Sequence, residues 1–207
     1  MGSMRHMGYS FSDAIADVMD NSVSASCTTI RLIFPSNAED IYVGILDDGH
    51  GMSKQELLRA MCYGSQANEK ERSENDLGRF GLGMKSASLS QCRKMTVISK
   101  KDGEVSAYRW DYDEIKSQGQ RGDWAVLELN NSEIREQYCF DELEALEHGT
   151  LVLWEELDVL YKSSGGRIFE ALTKNRNYLA DHLPLIYHRF ISEDGLKIFI
   201  NYLELKA

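Results

Sequence analysis

A chain of 207 residues suffices for one domain with a proper core, and a hydrophobic share of 43% excludes wholesale disorder. A formal net charge of −10 argues against this domain being the main contact for nucleic acid. No apolar run approaches the ~20 residues that span a bilayer, and no apolar signal-peptide core is present, so no membrane role is expected.

Met1, Gly2 and Ser3 read as a cloning scar, which separates a scar or partly ordered stretch at 1–8 from one domain at 9–207. The first predicted helix covers Ser12–Ala25. At helical period Ala14, Ile15, Val18 and Met19 form an apolar face, while Asp13, Asp17, Asp20, Asn21 and Ser24 form a polar one. Asp17 and Asn21 are four apart, so their side chains are neighbours. A carboxylate so placed could accept a proton from water, and the carboxamide could offer its oxygen to Mg²⁺. A solvated acidic face would carry the same letters. Apolar runs at Thr28–Phe34 and Ile41–Leu46 predict strands, with turn chemistry at Pro35–Asp40 between them. The second run ends in Asp47–Asp48–Gly49–His50–Gly51–Met52. A carboxylate at a strand end can accept a hydrogen bond from an exocyclic amine, and the glycines let a flat ring approach the backbone. An ordinary turn remains the alternative. Ser53 with Glu56 forms a capping box for a helix reaching about Met61.

Tyr63–Asn75 is polar and without apolar periodicity, a long loop of the kind that serves as a lid or stays disordered. Gly78, Gly81 and Gly83 then crowd together before a helix predicted over Met84–Gln91. Only glycine lets backbone N–H groups gather around a ligand without Cβ clashes. A helix starting there presents unpaired donors and a positive dipole end, a natural anion site. Lys85 adds a point charge where a terminal phosphate would lie; a flexible turn before a helix is the competing reading. Strands follow near Met95–Lys100, Val105–Asp111 and Trp124–Leu129, then a helix within Ser132–Glu147. A strand at Thr150–Glu156, a helix around Ile168–Asp181 and a strand at Leu196–Leu205 complete the chain. Short turns such as Lys101–Asp102–Gly103 imply antiparallel pairing. The predicted fold class is α+β, a two-layer α/β sandwich with a mixed, mostly antiparallel sheet covered by helices on one face.

Arg93, Lys94, Lys100 and Lys101 read as ordinary surface charge, and the acidity between Glu133 and Asp158 as a solvated helix and strand edge. Cysteines at 27, 62, 92 and 139 lack metal-ligand spacing and suit the reduced, packed thiols of a cytoplasmic protein, nuclear if eukaryotic. The five histidines form no evident cluster.

Taken in this order and at these separations, the motifs resemble the GHKL ATPase superfamily. Its members include type II topoisomerase subunits, mismatch-repair ATPases, the large heat-shock chaperone and sensor histidine kinases. The resemblance covers about residues 9 to 157. Asp17 to Asn21 looks like the first motif, Asp47–Asp–Gly–His–Gly51 like the adenine-binding motif, and Gly78 to Gly83 like the phosphate loop. His148–Gly–Thr–Leu–Val–Leu–Trp154 resembles the fourth, a Gly-Thr opening a strand. The Gly-Arg-Phe-Gly-Leu-Gly-Met-Lys-Ser run is most similar to MORC-type proteins and related bacterial ATPases. The resemblance implies the Bergerat fold, a lid between 64 and 77 that closes over the phosphates, and an N-terminal module of a longer protein.

It further implies roles for particular residues. ATP would lie with its adenine against Asp47, in a pocket lined by Ala25, Gly49, Gly51, Met52 and the Thr150 strand. Asn21 would hold Mg²⁺. Gly78, Phe80, Gly81, Leu82, Gly83, Met84 and Lys85 would surround the phosphates, and Asp17 would orient the attacking water. The family usually places glutamate where this chain has Asp17, one methylene or roughly 1.5 Å shorter. A general base must reach its water at about 2.6–3.2 Å, so slow hydrolysis is expected, with an ATP-binding regulatory module lacking significant turnover as the alternative. ATP-dependent homodimerisation is the implied switch. A protein histidine kinase shares the fold, but no histidine-bearing helix precedes Ser12 and Asp17 suits water activation better. A Rossmann dehydrogenase fails on spacing, G-x-x-G-x-G rather than G-x-G-x-x-G.

Overall fold

The computed structural model describes residues 9–62, 83–117 and 126–207. Helix α1 (Phe11–Ser24) starts where Ser10 Oγ accepts the Asp13 N–H at 3.1 Å, relieving one unpaired donor of the first turn. Phe11, Ala14, Ile15, Val18 and Met19 are buried, and each large side chain among them contributes about 1.5–3 kcal/mol by leaving water. Strands β1 (Thr29–Ile33) and β2 (Tyr42–Asp47) follow, then α2 (Lys54–Met61). The expected capping box opens α2: Ser53 Oγ accepts from the Glu56 amide, and the Glu56 carboxylate accepts from the Ser53 amide at 2.8 Å.

Helix α3 (Gly83–Gln91) leads into β3 (Lys94–Lys101) and β4 (Glu104–Asp111), a hairpin turning through Asp102 and Gly103, both at positive φ. Then come α4 (Tyr112–Ser117), β5 (Leu127–Glu128), α5 (Asn131–Arg135), α6 (Phe140–Glu144) and β6 (Gly149–Glu155). The chain finishes with α7 (Asp158–Ser163), α8 (Ile168–Ile186), α9 (His188–Ser192), β7 (Lys197–Ile200) and β8 (Leu203–Glu204).

The strands form one sheet in the order β5-β4-β3-β6-β2-β1-β7-β8. Pairing between β1 and β7 is parallel; the other described neighbours are antiparallel. Alternation along each strand divides the core. Ile30 and Leu32 of β1, Val43 and Ile45 of β2, Met95 and Val97 of β3, and Val152 and Trp154 of β6 join the buried residues of α1, α2, α3 and α8 in the main cluster. The expected α+β sandwich is thus present. On the opposite face Leu46, Ile98, Ala107 and Leu151 meet Ile134 of α5 and Phe140 and Leu143 of α6, a smaller cover that the sequence reading does not include.

Three elements differ from expectation. The helix within Ser132–Glu147 divides in two because Cys139 takes a left-handed conformation, φ 61°, at the start of α6. The last strand breaks at Asn201, φ 54°, into the β7–β8 hairpin; Asn201 donates its amide to Leu32 O (2.7 Å) and accepts the Phe34 amide on Oδ1 (2.7 Å). Helix α8 runs through Pro184 to Ile186, carried past the expected end by the buried Leu183. The predicted lid at 64–77, the phosphate-loop residues Gly78, Phe80, Gly81 and Leu82, and Trp124 lie outside the described residues.

Candidate functional site

Two adjacent carboxylates end β2 and have different surroundings. Asp48 Oδ1 accepts the amides of Thr28 (2.7 Å) and Thr29 (2.8 Å), and its Oδ2 accepts the Thr28 hydroxyl at 2.6 Å. Burial opposes ionisation there, yet those hydrogen bonds prevail and hold its carboxyl below the usual range. Asp48 therefore fastens the exit of β2 to the entry of β1. Asp47 is buried on the face that packs against α1. Ser22 of α1 donates to its Oδ2 at 2.7 Å, and the Gly49 amide donates to Oδ1 at 2.9 Å. Burial raises its pKa, against the hydrogen bonds from Ser22 and from the amides of Gly49 and Thr150. An ionised carboxylate has about four lone-pair sites, so this one keeps acceptor capacity for a further donor.

The turn after Asp47 is built by close approach. A Cβ on Gly51, at φ 64°, would fall 2.1 Å from the Lys100 carbonyl oxygen; one on Gly149 would fall 2.2 Å from the Asp47 carbonyl oxygen. Neither position admits a side chain without moving backbone. Ala25, the C-cap of α1, accepts the His50 amide on its carbonyl at 3.1 Å, so the turn hangs from the end of the helix. His148 Nδ1 sits 2.6 Å from Gly49 O. Thr150 is the register partner of Asp47 on β6, and Met52 donates its amide to Ser99 Oγ at 2.8 Å. Asp47, Gly49, Gly51, Met52, Ala25 and Thr150 are thus gathered where α1, the β2 turn and β6 meet.

One turn back along α1, Asn21 Nδ2 donates to the Asp17 carbonyl at 2.7 Å, which leaves the amide oxygen facing away from the helix backbone. Asn21 is exposed and Asp17 half-buried. A lone carboxamide oxygen suits Mg²⁺, which keeps several waters and takes its remaining oxygens from phosphate. Asn21 offers one neutral oxygen to such an ion. No group of three or more His, Cys, Asp or Glu side chains suited to a metal occurs among the described residues. The Asp17 carboxylate beside the Tyr9 hydroxyl raises the Tyr9 pKa. Asp20 accepts the Tyr187 hydroxyl at 2.8 Å; burial raises its carboxyl pKa despite that bond.

Helix α3 is described from Gly83 onwards, and the segment leading into it lies outside the described residues. Lys85 does not stand out as an open point charge. It is buried, burial lowers its pKa, and Nζ donates to the Cys62 carbonyl at 2.6 Å. Any phosphate role has to use its remaining donors.

The cations of 93–101 have partners within the protein. Arg93 pairs with Asp113, Lys94 with Glu155, and Lys101 with Glu56, while Lys100 donates to the carbonyls of Glu144 and Leu146. The sequence reading missed Ser22, Ser99 and Tyr9. Ser22 had a signal, a hydroxyl one turn beyond Val18 on the apolar side of α1. Ser99 had only its place as a small polar residue in an apolar strand.

Comparison with known proteins adds the lineage. The family described as "Histidine kinase-, DNA gyrase B-, and HSP90-like ATPase" matches residues 9–150, from α1 into β6 and through both sets of site residues. The chain belongs to this family. The GHKL membership is echoed by individual relatives. ATPase morc-1 of Caenorhabditis elegans is 31% identical over 94 residues, 45% of this chain and 11% of that protein. ATPase MORC2B of Mus musculus is 30% identical over 97 residues, 45% of this chain and 9% of that protein. Chaperone protein HtpG of Halalkalibacterium halodurans is 31% identical over 121 residues, 52% of this chain and 19% of its own length. The chain therefore spans less than a fifth of each GHKL relative named. No described helix is long and apolar enough to cross a membrane.

Proposed function

We propose that this domain binds ATP with Mg²⁺ and hydrolyses it slowly to ADP and phosphate. The observation that carries the reading is Asp47: a buried carboxylate held by Ser22 and the amides of Gly49 and Thr150, with acceptor capacity left over, at the meeting of α1, the glycine turn and β6. Its acceptor suits the exocyclic amine of adenine, and Thr150 supplies a hydroxyl beside it. Gly49 and Gly51 let the turn pack against Ala25 and the Lys100 carbonyl, which holds Asp47 in place. Asn21 would hold the metal, which would supply positive charge against the phosphates. The amides at the start of α3 suit the phosphates, and Asp17 orients and deprotonates the attacking water. Closure of the segment at 64–77 and ATP-dependent homodimerisation of the longer protein complete the reading, so that nucleotide state governs assembly. Nucleic acid is not contacted mainly through this domain, given its net charge and the internally paired cations. A binding module without significant turnover is the second reading, favoured by the shorter reach of Asp17.

Calorimetry with ATP, ADP and GTP, with and without Mg²⁺, tests the proposal. ATP and ADP should bind and GTP should not. In Asp47→Asn, ATP and ADP should weaken alike, by roughly 10- to 150-fold, because a charge-assisted hydrogen bond is worth about 1.5–3 kcal/mol. Unchanged ADP affinity in the folded variant removes Asp47 from the site.

A further inference from the structure

Ser99, on β3, is fully buried and belongs to no motif, yet it joins three segments of the site. Its Oγ accepts the Met52 amide at 2.8 Å, and lies 3.1 Å from the Gly149 carbonyl oxygen and 2.9 Å from Thr150 Oγ1. A hydroxyl has one proton and two lone pairs. The Met52 amide fills one lone pair, so the proton goes either to Gly149 O or to Thr150 Oγ1. In the first arrangement Thr150 must give its own proton to Ser99 and shows a ligand only lone pairs. In the second, Thr150 receives the Ser99 proton and its own is free to be donated. Thr150 is 8% exposed, so few water molecules can substitute for this partner.

We propose that Ser99 is a positioning residue for the nucleobase, holding the Met52 amide and orienting the Thr150 hydroxyl so that Thr150 can donate to a base. The inference rests on the adenine reading of Asp47 and Thr150. Adenine offers a donor, its exocyclic amine, beside an acceptor, a ring nitrogen. Asp47 takes the donor, and the second proton arrangement meets the acceptor. Ser99 acts on the base end of the ligand, since among the described residues its side-chain hydrogen bonds go to Met52, Gly149 and Thr150.

The test measures binding of ADP and of Mg²⁺-tripolyphosphate, which has no base, to the purified protein and to Ser99→Ala, Ser99→Thr, Thr150→Val, Ser99→Ala/Thr150→Val and Asp47→Asn. Ser99→Ala should weaken ADP by about 5- to 50-fold, the loss expected when a buried hydrogen-bond partner is removed. Tripolyphosphate binding should be unchanged. Adding Ser99→Ala to Thr150→Val should cost less than in the wild-type background, because part of the Ser99 effect passes through Thr150. Ser99→Thr, which keeps the hydroxyl, should recover ADP affinity. Equal losses for ADP and tripolyphosphate, or full additivity with Thr150→Val, would overturn the proposal. So would wild-type ADP affinity in Ser99→Ala alongside weak binding in Asp47→Asn, and in that case the adenine reading would stand. If Asp47→Asn also binds ADP normally, the adenine reading itself falls.

Discussion

Asp17 and Asn21 lie one helical turn apart on α1, and the hydrogen bond from Asn21 Nδ2 to the Asp17 carbonyl fixes the amide relative to the acid. Asp17→Asn should abolish hydrolysis in single-turnover assays, by about 10²-fold or more, while ATP binding stays nearly intact, because water activation matters only in the transition state. Undiminished turnover in that variant would defeat the assignment. Asp17→Glu lengthens the reach and should raise turnover if the native carboxylate sits too far from its water. Tyr9 bears on the same residue. Tyr9→Phe removes the hydroxyl beside Asp17, and if that neighbour orients the acid kcat should fall several-fold with ATP affinity unchanged; equal affinity and equal kcat would make the contact incidental. Asp47 and Asn21 stood out in the sequence as candidates because each has a chemical neighbour at fixed spacing, and Thr150 did so only through the resemblance of its Gly-Thr motif. Ser99 and Tyr9 did not, since the partners of Ser99 are 47 and 51 residues away and Tyr9 precedes the helix whose Asp17 it neighbours.

At the scale of elements, legibility followed periodicity and local chemistry. Helices α1 and α2 show both an apolar face and a cap, and were found nearly to the residue. The short α4, α7 and α9, of five or six residues, have too few turns to carry a period. The breaks at Cys139 and Asn201 use left-handed residues that are not glycine, so the usual turn letters were missing. Helix α2 gives a pH prediction. Lys101 and then the Ser53 amide and hydroxyl hold the Glu56 carboxyl down to about 2, from an ordinary 4.5. A depressed carboxyl contributes stability that is present above about 4.5 and is lost as pH falls towards 2. Glu56→Gln should therefore lower the Tm at pH 7, with the difference from wild type shrinking across that window. A difference that persists unchanged at pH 2 would mean that the ionised carboxylate is not the source.

Across the whole molecule, the mixed sheet was legible as a class but its order was not, because strand order depends on pairings far apart in the chain. The parallel pair is the extreme case: Thr29–Leu32 align with Lys197–Ile200, roughly 170 residues later. At ribosomal rates of about 5–20 residues per second, β1 waits roughly 10–30 s for its neighbour to be made. During that interval Ile30 and Leu32 sit on an edge with open backbone donors and acceptors, the arrangement that recruits other chains. A chain stopped at residue 195 should be made at normal levels yet partition into aggregates, and supplying residues 196–207 as a separate peptide during refolding should restore soluble protein. Full solubility of the shortened chain would show that the edge is harmless. Aggregation of the shortened chain would instead place the domain's vulnerable moment in its birth, before β7 has left the ribosome, and a cell would need to shelter it there.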